Sequence, residues 1–137
     1  MRHRAAALVV SGVLACLACQ GCGSTYEDPA TGIEAKYRWD TLTAELDQEI
    51  GMVYPAAQQA ADELDLKVLR EAMDGIAGEI RALDAHLDTV DIRLEAMPAG
   101  RTLMTIRIGA FGARNKSAVV FEHVMGNLTQ YGGVARR

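Results

Sequence analysis

"LKVLREAMDGIAGEIRALDAHLDTVDIRLEAM", Leu66 to Met97, fits two different periods, and the fold turns on which one holds. Leu66, Leu69, Met73, Ile76, Ile80, Leu83, Leu87, Val90, Leu94 and Met97 follow alternating steps of three and four, the seam of a coiled coil. Two features oppose that helix. Gly75 and Gly78 would lie in its interior, each at about 1 kcal/mol relative to Ala. Towards the C-terminal side, "TVDIRLE" puts Val90, Ile92 and Leu94 on one face and Asp91, Arg93 and Glu95 on the other, and its β-branched residues favour a strand. A heptad has no place for Ile92.

The same period of two continues in "LMTIRIG", where Met104, Ile106 and Ile108 alternate with Leu103, Thr105 and Arg107. "MPAG" lies between these segments, with Pro98 and Gly100 at the second and fourth positions expected of a type I turn, so the pair reads as a hairpin. Working backwards, "LKVLREA" and "AGEIRALD" become two further strands joined around Asp74-Gly75. Upstream, "TLTAEL" alternates Leu42, Ala44 and Leu46 with polar partners and predicts another strand. Ile50, Val53, Ala57, Ala60 and Leu64 then mark one face of a helix; Pro55 restricts its regular part to a start near Gly51 and an end near Leu64. After Ile108, "GAFGA" breaks the sheet, and Asn115 is placed to cap a helix with the apolar face Val120, Phe121, Val124 and Leu128. The resulting order is strand, helix, four antiparallel strands, helix: an α+β two-layer sandwich, with a coiled coil as the rival.

The N-terminus has a different character. "MRHR" is basic, Ala5 to Ala18 is apolar, and "CLACQGC" holds all three cysteines at a spacing of three. The apolar stretch is shorter than the roughly 20 residues that span a bilayer and has the anatomy of a secretory signal. A signal running into small residues and a cysteine resembles that of a bacterial lipoprotein, in which the cysteine is lipidated and becomes the mature N-terminus. Cys22 uses the full apolar region and precedes the polar "GSTYEDP", so it is the expected attachment site, with Cys16 and Cys19 as alternatives. The expected organisation is a signal over 1–21, a flexible tether over 22–36, one α+β domain over 37–128 and a disordered tail over 129–137. Leu17, Gln20 and Gly23 follow the three cysteines, and none is the aspartate that commonly retains lipoproteins at the inner membrane. The periplasmic side of the outer membrane is therefore the expected destination, with the inner membrane as the alternative.

Charge narrows the partners. Loss of Arg2 and Arg4 with the signal leaves 12 basic against 18 acidic residues, a net charge of −6. That balance opposes nucleic-acid binding, which neutralises phosphates with Lys and Arg, and leaves the membrane link to acyl chains rather than to anionic lipid. The expected partners are the membrane, through the anchor, and an envelope protein whose identity is unknown.

Candidate chemistry is sparse. A Cys-x-x-Cys-x-x-Cys run resembles the start of an iron–sulfur ligand set, but only His3, His86 and His123 are available to complete it, and no second cysteine pair exists for zinc. His86 in "DAHLD" reads as part of a solvated turn, and His123 beside Glu122 as an exposed helical residue. "GAFG" lacks the lysine of a phosphate-cradling loop, Ser24 and Ser117 have no adjacent base, and the methionines read as core filler. No catalytic residue, metal or cofactor is expected, and the chain reads as a non-catalytic binding or support domain, with an anchored coiled-coil spacer as the alternative.

The hairpin "VDIRLEAMPAGRTLMTIRIGAFG" with its following helix, the upstream "VYPAAQQAADELDL" and the lipoprotein-like start together are similar to small bacterial lipoproteins of domain-of-unknown-function family 3568. The resemblance runs from about Trp39 to Leu128 and is most specific at "IRIGAFG", Ile106 to Gly112. That family tends to carry an acidic residue after the Phe-Gly pair, where this chain has Ala113, and an Asp-Gly turn where this chain has "DAHLD". The resemblance implies an envelope lipoprotein of unassigned function and lends no catalytic residue.

Overall fold

Strands replace the heptad helix across Leu66–Met97, and period two holds in the strands between Gly78 and Leu94, whereas a register shift between Val68 and Arg70 breaks it in the first of these strands. The structure is a computed structural model and describes residues 23–29 and 31–131. Its elements in chain order are β1 (Gly23–Glu27), β2 (Glu34–Arg38), β3 (Thr41–Leu46), α1 (Ile50–Glu63), β4 (Lys67–Met73), β5 (Ala77–Leu83), β6 (Thr89–Met97), β7 (Arg101–Ile108) and α2 (Arg114–Tyr131). All seven strands form one antiparallel sheet in the order β1-β2-β3-β7-β6-β5-β4. The class is α+β, and both helices pack on the same face of the sheet.

Register explains the choice of period. Ile92 lies opposite Ile80 on one side and Ile106 on the other, and Leu94 opposite Met104, so the inward residues of β5, β6 and β7 form continuous rows under the helices. Ile80, Val90 and Leu94 of the heptad seam join that core, whereas Leu69, Met73, Ile76 and Leu87 are exposed. A helix would have spread the same residues along one stripe and left Ile92 in water. Leu87 instead sits in the β5–β6 loop, 76 % exposed with φ +64°, while Ile92 is 1 % exposed.

The helices meet through small residues. Ala56, Ala57, Ala60 and Ala61 of α1 are buried, and Val120, Phe121, Val124, Met125 and Leu128 of α2 fill the space above the sheet. Asn127 donates through Nδ2 to the Ala56 carbonyl at 3.1 Å, and His123 Nδ1 lies 2.9 Å from Glu63 Oε2; these pairings set the helices antiparallel. Gly78 of β5 runs beneath the Tyr54 ring, where a Cβ would come within 3.0 Å of Tyr54 Cδ2.

Four expectations need correction. The stretch 22–36, read as a tether, contains β1 and the start of β2, so the domain begins by Gly23 rather than near Tyr37. Tyr26 and Ala35 turn toward the core, Tyr26 stands edge-on to Phe121 at 6.0 Å, and the Asp28 carboxylate accepts from the Thr31 N–H and hydroxyl to close the turn between the strands. The strand–helix–four-strand–helix order thus gains two strands at its start. Second, the β6–β7 connection is not a type I turn: Met97 pairs with Arg101, and the three residues between them reverse the chain with Ala99 and Gly100 both left-handed, at φ +65° and +68°. Left-handed loop residues match the right-handed twist of the flanking strands. Third, Asn115 is the second residue of α2 rather than its cap, because helical bonding already starts with Ser117 N–H donating to the Ala113 carbonyl. Last, α2 continues to Tyr131, through the first part of the expected tail; residues 132–137 lie outside the described residues.

An unpaired carboxylate at the centre of this core should cost about 4 kcal/mol, a large share of the 5–15 kcal/mol typical of a domain. Ile92→Asp is expected to abolish cooperative thermal unfolding, and Leu87→Asp to shift it by less than about 1 kcal/mol. Circular dichroism melts of both variants check this; the reverse order would contradict the sheet.

Candidate functional site

Cys16, Cys19 and Cys22, the candidate attachment sites, lie outside the described residues. The first described residue, Gly23, opens β1 at one end of the sheet, and the site is built from what else gathers there. Pairing carries the same end across the molecule: Gly23 opposite Arg38, Arg38 opposite Thr41, Thr41 opposite Arg107, Val90 opposite Ile108, and Leu83 opposite Thr89. The 39–40, 84–88 and 109–113 connections therefore share the end at which β1 begins.

These three loops are tied together. Arg107 Nη2 lies 2.7 Å from Asp40 Oδ2 and donates to the Ala110 carbonyl at 3.2 Å, joining the 39–40 turn to the 109–113 loop. Gly112, at φ +77°, presses against that turn so closely that a Cβ would come within 2.6 Å of Asp40 Cα and 2.7 Å of its carbonyl oxygen. The next loop is held by Asp84, whose Oδ1 accepts from the backbone N–H groups of His86 and Asp88. Lys116, in the first turn of α2, reaches Asp84 Oδ2 at 2.6 Å and Asp88 Oδ2 at 2.9 Å. Gly109 N–H donates to the Thr89 carbonyl and completes the chain of contacts.

From this bound set of loops come the three most exposed large apolar side chains among the described residues: Phe111 at 93 %, Trp39 at 87 % and Leu87 at 76 %. Trp39 and Leu87 hold φ values of +61° and +64°, a region that bulky side chains rarely adopt. Residue order alone does not mark Trp39, Leu87 or Phe111 as site residues. A usable signal was present in each, a large apolar residue among turn formers: "RWD", "AHLD" and "GAFG".

His86 and His123 do not meet. His86 sits in the exposed 84–88 loop, and His123 bridges to Glu63 across the helices. The hydrogen bond from His123 is the main reason the Glu63 carboxyl lies below its ordinary value. Glu122 is hydrogen-bonded by the Tyr26 hydroxyl, so it ties α2 to β1 instead of joining His123. Among the described residues no group of three His, Cys, Asp or Glu side chains is arranged to hold a metal ion. A cleft of about 250 Å³, lined by Leu64, Leu66, His86, Val90, Lys116 and Val119, opens beside the 84–88 loop and is mostly apolar.

The sheet face away from the helices is polar. By register it carries eight of the ten Lys and Arg residues among those described: Lys36, Arg38, Lys67, Arg70, Arg81, Arg93, Arg101 and Arg107. Six carboxylates share it, giving a net +2, while the other described residues hold twelve carboxylates against Arg114 and Lys116, a net −10. Arg81 Nε pairs with Asp91 at 2.7 Å and Arg101 Nη2 with Glu45 at 2.7 Å, so much of this charge is locally compensated.

A one-sided antiparallel sheet under two helices, with a loop-built apolar end, defines the class of structure. Residues 4–127 match the family described as protein of unknown function (DUF3568), and the chain belongs to that family. The match begins well before Trp39, where the resemblance starts, includes β1, β2 and the residues before them, and ends at Asn127. No curated protein matches the chain.

The Asp84 carboxyl is held below its ordinary value chiefly by the hydrogen bond from Lys116, assisted by the Asp88 and His86 N–H groups. A carboxylate depressed in the fold contributes stability that is present above its ordinary value of about 3.9 and is lost as pH falls through the lowered one. Asp84→Asn should therefore flatten the acid limb of melting temperature against pH below about pH 4; parallel limbs for parent and variant would exclude this. Separately, Gly112→Ala meets backbone and should cost more than about 2 kcal/mol, whereas Gly75→Ala, with φ +92° but open space around it, should cost about 1 kcal/mol in denaturant melts.

Proposed function

We propose that this chain is a lipid-anchored protein of the bacterial cell envelope whose folded part is a non-catalytic binding or support domain. The observation that carries the proposal is continuity: the apolar segment Ala5–Ala18 runs into "CLACQGC", and the domain's first strand starts at Gly23, the residue after Cys22. Lipid on Cys22 would hold the sheet directly against the bilayer. Attachment at Cys16 would insert residues 17–22 between them.

The open sheet face, with its alternating arginines and carboxylates, is the surface this reading offers to an envelope partner. The helix-covered face is filled by core packing. An anchored coiled-coil spacer is disfavoured because Leu66–Met97 is divided among β4, β5 and β6. The periplasmic side of the outer membrane is the proposed location, with the inner membrane as the alternative.

Metabolic labelling with a fatty-acid analogue tests the anchor. Cys22→Ser should abolish incorporation. Label retained in Cys22→Ser but lost in Cys16→Ser or Cys19→Ser moves the site within the run, and label retained in all three variants rejects the lipoprotein reading.

A further inference from the structure

Trp39, Phe111 and Leu87 occupy the end of the sheet at which the chain enters the domain. Each is a large apolar side chain almost wholly in water, on a loop that is pinned to its neighbours by Arg107–Asp40, by Lys116 with Asp84 and Asp88, and by the approach of Gly112 to Asp40. Exposure on a floppy loop would be unremarked. Here two of the three positions hold a left-handed backbone that glycine or asparagine would adopt with less strain, so the fold displays these side chains at a cost of order 1 kcal/mol each. Strain retained at an exposed apolar residue points to a surface that is used.

We infer that this tip is a membrane-contact surface that seats the domain on the interfacial region of a bilayer, with Trp39, Phe111 and Leu87 entering at headgroup depth. The inference rests on the anchored reading above. Where the preceding chain joins decides the occupant: Gly23 pairs with Arg38, and Trp39 is the next residue, so Trp39 lies roughly one strand spacing of about 5 Å and one residue of about 3.3 Å from the point of entry. The 109–113 loop follows β7, three strands from β1, and the 84–88 loop precedes β6, four strands away; at about 5 Å per strand the side chains from Trp39, in the β2–β3 turn, to Leu87 span about 15 Å, and the far loop lies about 20 Å from the point of entry. A footprint of that width, joined to the anchor at its edge, makes the strands stand up from the bilayer.

The chemistry of the tip suits an interface. Trp and Phe are favoured at the boundary between headgroups and hydrocarbon, where a ring meets apolar chains and, for Trp, the indole N–H keeps a polar partner. Carboxylates near a membrane would oppose contact, but Asp40 is paired with Arg107 and Asp84 and Asp88 share Lys116, which leaves these five groups a net charge of −1. Contact thus depends on apolar burial and needs no anionic lipid. Ile76, exposed to 72 % at the β4–β5 turn, lies at the opposite end of the sheet and serves as an internal control.

Trp39 is the sole tryptophan of the chain, which makes its fluorescence a direct readout. The mature protein purified from membranes is reconstituted into phosphatidylcholine vesicles, with or without phosphatidylcholine brominated on its acyl chains, and its association is measured by flotation. The expected result is co-flotation with Trp39 emission quenched at least about twofold by the brominated lipid, and no quenching for Ile76→Trp made in a Trp39→Phe background. Co-flotation with unquenched Trp39, or with Trp39 and Ile76→Trp equally quenched, overturns the tip contact and leaves the anchor standing. Failure to float overturns the anchor and the tip contact with it. A photo-crosslinking residue at position 39 that labels a protein and no lipid in intact envelopes would replace the bilayer by a protein partner and likewise overturn the inference.

Discussion

Seven strands share two helices, and both helices lie on one side; that single-sided burial governs the rest of the molecule. The well-covered strands present alternate residues to α1 and α2, so their inward rows are mainly Leu, Ile, Val, Ala and Met while the outward rows are mainly Arg, Lys, Glu, Asp and Thr; Leu83 and Leu103 are outward exceptions and Thr102 an inward one. The helices must also come close to the sheet and to each other, which the alanines of α1 allow and which Gly78 allows beneath Tyr54. The central strands β3, β7 and β6 receive full cover, and cover thins toward β1 and β4, where most side chains stay partly or wholly exposed.

That gradient of burial explains what could be read from residue order and what could not. Val90-Ile92-Leu94 and Met104-Ile106-Ile108 alternate cleanly because both neighbours of each strand bury the same face, and their strand character was accessible from period alone. Gly75 and Gly78 oppose a helix, and the fold uses one for a left-handed turn and the other beneath the ring that crosses it. The edges carry a weaker signal. β1 buries its inward residues only partly, and "GSTYEDPATGIEA" is rich in the Gly, Pro and acidic residues that also mark linkers, so a two-strand unit passed for a tether. In the β6–β7 loop, Pro98 and Gly100 promised a turn, yet strand twist rather than composition selected its hand.

The apolar tip was harder to find for a different reason. Trp39, Leu87 and Phe111 are separated in sequence by connections and whole strands, and only the register that brings 39–40, 84–88 and 109–113 to one end makes them a group. Leu87 falls both on the heptad seam and in the "DAHLD" turn, so residue order gives it a core place under the rival coiled coil and a turn place under the sheet. Charge segregation has the same origin: among the described residues eight of the ten cations occupy outward positions of strands, whereas the acidic excess falls mostly on helices and loops.

β1 has a mechanical consequence. It is an outer strand, it starts at the tip, and α2 begins at that end too and finishes at the other, so the first and last described elements leave the molecule from opposite poles. Its partners in β2 run from Arg38 opposite Gly23 to Glu34 opposite Glu27. Antiparallel hydrogen bonds lie across the strand axis. A pull applied at Gly23 along that axis loads the whole ladder in shear at once, instead of peeling it one rung at a time. The most weakly covered strand on that side is thus joined to the chain in the geometry that resists tension best, and a load between the two poles would be borne by the length of the sheet.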